Sequence, residues 1–201
     1  NYGVDIYVSD ETEQLLDTGG GIKRAASLFN RQLPVLIHNV DILSNVDLAA
    51  FYRHALEIKA DALLLVSRRV TQRYLIFDSN MRLVGWTNVA TGEVKSPHDE
   101  IRQLHFVSPT EAESSYFQHS CYLCAFSGIH VLAPSAVQAV EAVDEDKFPI
   151  MEFYLNNCDR LDIRGELKTD LHLLDVGKLN SLQAAEDFIV NSEYRSSKTE
   201  N

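Results

Sequence analysis

Residues 35–66 constrain the fold of this chain more than any other stretch. Val35, Leu36 and Ile37 form an apolar run long enough for a buried strand and too short for a helix. From about Asp47 to Lys59, the residues Leu48, Phe51, Tyr52, Ala55 and Ile58 recur at three- and four-residue spacing, which paints one apolar face on a helix. Ala62 to Val66 is a second buried-type strand. Strand, helix and strand in about thirty residues make a βαβ unit, whose strands run parallel as neighbours or near-neighbours. The expected class is therefore α/β, with a mostly parallel sheet flanked by helices. The first strand ends in His38, Asn39 and Asp41. A carboxylate at that handover sits at the carboxyl edge of the sheet, where open α/β folds bind ligands. Taken alone, Asp41 reads as a turn or capping residue.

With 201 residues the chain fits one domain of ordinary size and can bury a sizeable core. Its 29 acidic and 18 basic residues leave a formal net charge of -11. That balance argues against a nucleic-acid binder, which grips phosphates through a positive face. No apolar run approaches the length that spans a bilayer, and no basic-apolar signal segment opens the chain, so the expectation is a soluble, non-membrane protein. Three cysteines, an odd number, point to a reducing compartment, the cytoplasm, rather than to a disulfide framework. The chain opens without Met in Val4, Ile6 and Val8, which alternate like a strand, so further residues are expected upstream.

Three glycines, Gly19, Gly20 and Gly21, precede the helical run Ile22 to Phe29. As a loop feeding a helix, they would let the backbone approach a ligand closely and offer N–H groups to an anion or a base edge. The spacing and the Lys-Ser/Thr ending of a P-loop are absent. Arg73–Phe77 and Arg82–Trp86 flank Asp78-Ser79-Asn80 as an antiparallel hairpin insertion. Further strands are expected at Ile101–Val107 and in the stretch ending at Leu132, with Ser127-Gly128 as a bend or close approach. Helices follow from Pro134 and from Phe148-Pro149. Leu161–Arg164 then meets a turn at Gly165, and a strand from Leu171 to Leu174 leads into Asp175-Val176-Gly177. A last helix is expected over Leu179 to Val190, so that one domain occupies residues 1–190 and a polar tail residues 191–201.

Cys121 and Cys124 stand three apart on an expected strand, where their side chains point to opposite faces and cannot readily grip one ion. The seven histidines form no H-x-x-x-H pair, and no G-x-S-x-G elbow is present. Asp41 and Asp175 remain. Each ends an apolar strand, and if both strands share a sheet the carboxylates can converge at its edge. Two carboxylates and little else is how a protein holds Mg²⁺, whose remaining oxygens come from water and substrate phosphates.

The run Leu16-Asp17-Thr18-Gly19-Gly20-Gly21-Ile22 resembles the L-x-T-G-G-G-I loop of the sugar-phosphate nucleotidyltransferases. Asn39-Val40-Asp41 is similar to their N-G-D motif, Phe126-Ser127-Gly128-Ile129 to the segment lining the sugar pocket, and Leu173-Leu174-Asp175-Val176-Gly177-Lys178 to W-L-D-V-G-T. The four fall in family order, nearest to the N-acetylmuramate 1-phosphate uridylyltransferases and mannose-1-phosphate guanylyltransferases. The resemblance implies a Rossmann-like sheet and a Mg²⁺-dependent enzyme joining an NTP and a sugar 1-phosphate into an NDP-sugar and pyrophosphate. It implies Asp41 and Asp175 as catalytic metal ligands, Thr18, Gly19, Gly20, Gly21 and Asn39 on the nucleotide, and Ser127 and Gly128 on the sugar. The expected partners are the two substrates, without nucleic acid or membrane and with room for a homo-oligomer. Alternatively, the chain is an inactive nucleotide-sugar-binding or regulatory relative. The departures are Val40 for Gly, Leu173 for Trp and Lys178 for Thr, and the family's G-x-G-T-R-x-x-P loop would precede Asn1.

Overall fold

The computed structural model describes residues 3–110, 112–177 and 186. Its axis is the longest strand, β8 (Cys121–Leu132), which is almost continuously apolar because both of its faces are covered. β1 (Val35–His38), β3 (Ala62–Ser67) and β4 (Arg73–Phe77) all pair with β8 in antiparallel fashion. Beyond β4 the sheet continues to β5 (Leu83–Asn88) and β6 (Glu93–Lys95). Beyond β3 lies β9 (Ile163–Leu167), and the two-residue β7 (Phe117–Gln118) also pairs with β8. A separate two-stranded ribbon joins β2 (Ile42–Ser44) to β10 (Leu173–Asp175).

The fold is a mixed α/β arrangement with an open sheet flanked by helices, but the sheet is mostly antiparallel rather than mostly parallel. Among the described ladders only β3–β9 is parallel. The strands of the βαβ unit, β1 and β3, do run in the same direction. They are near-neighbours, because β8 lies between them and pairs with both: Leu132 faces Val35 and Ala62, and His130 faces Ile37 and Leu64.

Alternation along the strands sorts side chains between two faces. Leu63 and Leu65 pack with Phe51 and Ala55 of α2 (Leu48–Ile58). Leu64 and Val66 pack on the opposite face, with residues of α1 (Asp17–Ala25), α4 (Pro134–Glu141) and α5 (Ile150–Asn157). Helix α2 is capped by Asp47, whose Oδ1 accepts the Ala50 N–H at 2.9 Å. The end of the sheet around Tyr74 and Leu123 is covered by Phe106 and Tyr116.

Several local expectations change. The glycine run is no loop: Gly19 to Gly21 lie inside α1. The Val4–Val8 segment is not a strand: it pairs with no strand among the described residues, and Val4, Ile6 and Val8 stand 61%, 69% and 83% exposed. Instead of a strand at 101–107 there is a short helix, α3 (Asp99–Arg102), followed by irregular chain. The backbone of Val107 is paired there by the Gln118 side-chain amide. Gly165 is no turn but an interior residue of β9, where a Cβ would lie 2.9 Å from Phe77 Cε1 and Met81 Cε. Lys178, the helix expected at 179–190 and the tail 191–201 lie outside the described residues, apart from the helical Glu186. No helix among the described residues is long and apolar enough to cross a membrane.

Candidate functional site

After β1 the chain turns sharply, with Ile42 N–H donating to the Asn39 carbonyl at 3.2 Å, and Asp41 projects from that turn into solvent. Ribbon pairing then brings in the far end of the chain. Asp175 faces Ile42, and Val176 N–H donates to the Asp41 carbonyl at 2.8 Å. Gly177 N–H donates to Asp175 Oδ1 at 3.0 Å. A Cβ on Gly177 would sit 3.0 Å from Asp41 Oδ2 and 3.2 Å from Asp175 Oδ1, so both carboxylates flank this one glycine. The two aspartates therefore converge, although through the β2–β10 ribbon and not through a common main sheet.

Both carboxylates are exposed, and neither has a Lys, Arg or His partner within ion-pair distance among the described residues. Two like charges held close with all-oxygen donors suit a hard divalent cation that takes its other ligands from phosphate and water. No group of three or more His, Cys, Asp or Glu among the described residues is placed to hold a metal ion, so such an ion would depend on those outside oxygens.

Beside this turn, Asn39 lies against Gly128. The Asn39 N–H donates to the Gly128 carbonyl at 3.1 Å, and a Cβ on Gly128 would meet Asn39 Nδ2 at 2.8 Å. Gly128 has φ +78°, a conformation that glycine adopts at little cost. The expected close approach thus occurs, but Asn39 makes it. Ser127 is buried, and its hydroxyl donates to the Leu65 carbonyl at 2.6 Å, so this side chain faces the core.

The glycines of α1 are arranged differently. Gly19 and Gly20 both donate their N–H to the Phe148 carbonyl, at 2.9 and 3.1 Å. A Cβ on Gly20 would lie 2.1 Å from the Asp146 carbonyl oxygen, and one on Gly19 2.3 Å from the Phe148 ring. These residues are glycine because segment 146–148 packs on the helix backbone. Thr18 Oγ1 accepts the Ile150 N–H at 3.0 Å, at the start of α5. Gly21 alone of the three faces outward, and there the chain supplies its own anion. Glu11 Oε1 would be 2.8 Å from a Gly21 Cβ, while Oε2 accepts the Leu16 N–H at 3.0 Å at the helix N-terminus.

A cavity of about 800 Å³ opens between α1 and β1, lined by Glu11, Thr18, Gly21, Ile22, Asn39 and His130 among others. His130 is buried, and its Nδ1 is paired with the Tyr154 hydroxyl. Burial pushes its imidazole down to about 3 and raises the Tyr154 phenol well above its usual range. Cys121 and Cys124 fall in clusters on opposite faces of the sheet, as strand geometry requires, and burial pushes the Cys124 thiol up to about 12. Both are inert packing thiols.

Sequence reasoning missed the role of Glu11, which is one of several acids in a polar segment and carries no local signal. It also missed Gly177 as the residue between the carboxylates, although a glycine two positions after a strand-ending aspartate was a readable cue.

No protein-family model matches the chain, and no curated protein matches it. Among solved structures, HddC from Yersinia pseudotuberculosis is similar in fold, with a TM-score of 0.57 and 17% sequence identity. The match covers 87% of this chain and 64% of that one, so the chain spans less than two thirds of that structure. The likeness is one of architecture: an open, mixed sheet flanked by helices.

Proposed function

We propose that the chain is the nucleotidyltransferase domain of an enzyme that joins an NTP and a sugar 1-phosphate into an NDP-sugar and pyrophosphate. The observation that carries this reading is the meeting of Asp41 and Asp175 around Gly177, beside the cavity that Asn39 lines. Motif order along the chain and the architecture it shares with HddC support the same reading.

Asp41 and Asp175 would hold Mg²⁺, which when bound supplies neutralisation of charge on the transferred phosphoryl group and the departing pyrophosphate. The chain contributes placement. Ile22 gives the α1–β1 cavity an apolar wall for a base, and Asn39, packed on Gly128, is a polar contact between the nucleotide and the sugar. An oxygen of the sugar phosphate attacks the α-phosphorus in line, forming one P–O bond as the bond to pyrophosphate breaks. No side chain becomes covalently attached.

The test is pyrophosphate release from the full-length protein with a panel of NTPs and sugar 1-phosphates, with and without Mg²⁺. Metal-dependent release with at least one pair is expected, and it should disappear in Asp41→Asn and in Asp175→Asn. Release that both variants retain would overturn the reading. One observation favours the rival, a binding or regulatory relative: the Gly19 and Gly20 N–H groups are spent on Phe148 and so are withheld from a ligand. Saturable nucleotide-sugar binding without turnover would establish that rival.

A further inference from the structure

A second cavity, of about 390 Å³, lies between α5 and the β4–β5–β6 end of the sheet. Its walls include Arg73, Trp86, Lys95, Phe126 and Glu152. It adjoins the α1–β1 cavity: Pro149 lines both, and the Phe126 ring meets the His130 ring edge-on with centroids 5.6 Å apart. The second cavity thus lies beside the first, on the same face of the sheet.

Its charge departs from that of the chain. Acidic residues outnumber basic ones 29 to 18 overall, yet this cavity holds two cations against one carboxylate. Arg73 is exposed and has no carboxylate partner within ion-pair distance among the described residues. Lys95 Nζ stands 5.4 Å from the centroid of the Trp86 ring and 3.5 Å from Glu93 Oε1, with both charged side chains half exposed. A guanidinium fork suits a carboxylate or phosphate, an indole face suits the C–H side of a sugar ring, and a carboxylate such as Glu152 accepts from sugar hydroxyls.

We propose that this cavity is a subsite for an anionic substituent on the acceptor sugar, set apart from the phosphate that reacts. The proposal rests on the nucleotidyltransferase reading for its acceptor, but the binding it asserts is measurable without turnover. The substituent is recognised by Arg73 and Lys95 while the ring lies against Trp86.

Calorimetric titration of the full-length protein with glucose 1-phosphate, glucuronic acid 1-phosphate and glucose 1,6-bisphosphate tests it, and the last two separate a carboxylate from a second phosphate. At least one of the last two, which carry an anionic group beyond the 1-phosphate, should bind about tenfold tighter than glucose 1-phosphate, the scale of one favourable charged contact. That ratio should fall toward one in Arg73→Gln/Lys95→Gln, whose exposed positions leave the fold intact, as its melting temperature will show. Equal affinity for all three ligands, no binding by any, or a preference unchanged in the double variant would each overturn the proposal. An acidic preference without pyrophosphate release would sink the enzyme reading and leave the subsite standing. Pyrophosphate release without that preference would do the reverse.

Discussion

The glycines of α1 and the glycine at the end of the β2–β10 ribbon differ in what presses against the missing side chain. Against Gly19 and Gly20 lie the backbone and ring of segment 146–148, at 2.1 to 2.8 Å from where a Cβ would be. Against Gly177 lie two carboxylate oxygens, at 3.0 and 3.2 Å. Backbone fixed by its own hydrogen bonds cannot retreat, whereas the ends of two exposed aspartate side chains can. The contrast extends to neighbouring polar groups. Around α1 they close on partners within the protein: the glycine N–H groups on Phe148, Thr18 on Ile150, His130 on Tyr154. Around Gly177 the carboxylates have no Lys, Arg or His partner within ion-pair distance among the described residues. The same residue type therefore packs against fixed backbone in one region and, on the proposed reading, leaves room for chemistry in the other.

That contrast can be broken by substitution. The largest effect is expected at the outward pair: Asp41→Asn or Asp175→Asn should lower Mg²⁺-dependent pyrophosphate release by about 100-fold or more, the scale of a lost metal contact. Chemical denaturation should show both variants as stable as the parent, and a collapsed fold would mean that the carboxylates are structural.

On the inward side, the folded protein keeps His130 neutral down to about 3, whereas an exposed imidazole takes up its proton near 6.5. Between those values the unfolded chain binds more protons, so acidification destabilises the protein, by at most about 1.4 kcal/mol per pH unit. Urea midpoints of the parent should fall between pH 6.5 and 4 more steeply than those of His130→Gln, and parallel curves would remove His130 as the cause.

Gly20→Ala should cost roughly 2–3 kcal/mol through overpacking, a fall in Tm of roughly 5–10 °C. A melting curve unchanged from the parent would mean that segment 146–148 yields. The smallest effect is expected for Gly177→Ala: a melting temperature close to the parent's, with about tenfold more Mg²⁺ needed for half-maximal release as the methyl spreads the carboxylates. A large loss of Tm there would erase the distinction between the two regions.

The sequence made α2 legible, because its apolar residues repeat at helical spacing and Asp47 caps it. The β4–β5 hairpin was legible because Asp78 supplies the turn, accepting N–H groups from Asn80 and Arg82 at 2.8 and 2.9 Å. The candidate site was legible in its residues more than in their use. Asp41, Asp175, Asn39 and Gly128 do come together, but nothing local announces that Asn39 fills the space over Gly128. Triple glycine reads as a loop because glycine is a poor helix former. Here packing of segment 146–148 outweighs that preference, and a partner more than a hundred residues away cannot be read from a window of ten.

By itself, the order of residues determined α2 and its apolar face, the β4–β5 hairpin, and that Cys121 and Cys124 point apart, since these follow from backbone periods of 3.6 and 2.0 and from turn chemistry. The tertiary structure alone decided that β8 enters between β1 and β3, which turned an expected parallel sheet into a mostly antiparallel one. It alone decided that β10 pairs with β2, which carries Asp175 to Asp41. Strand partners are chosen by contacts between distant segments competing for the same edge, and that competition is settled only when the whole chain packs.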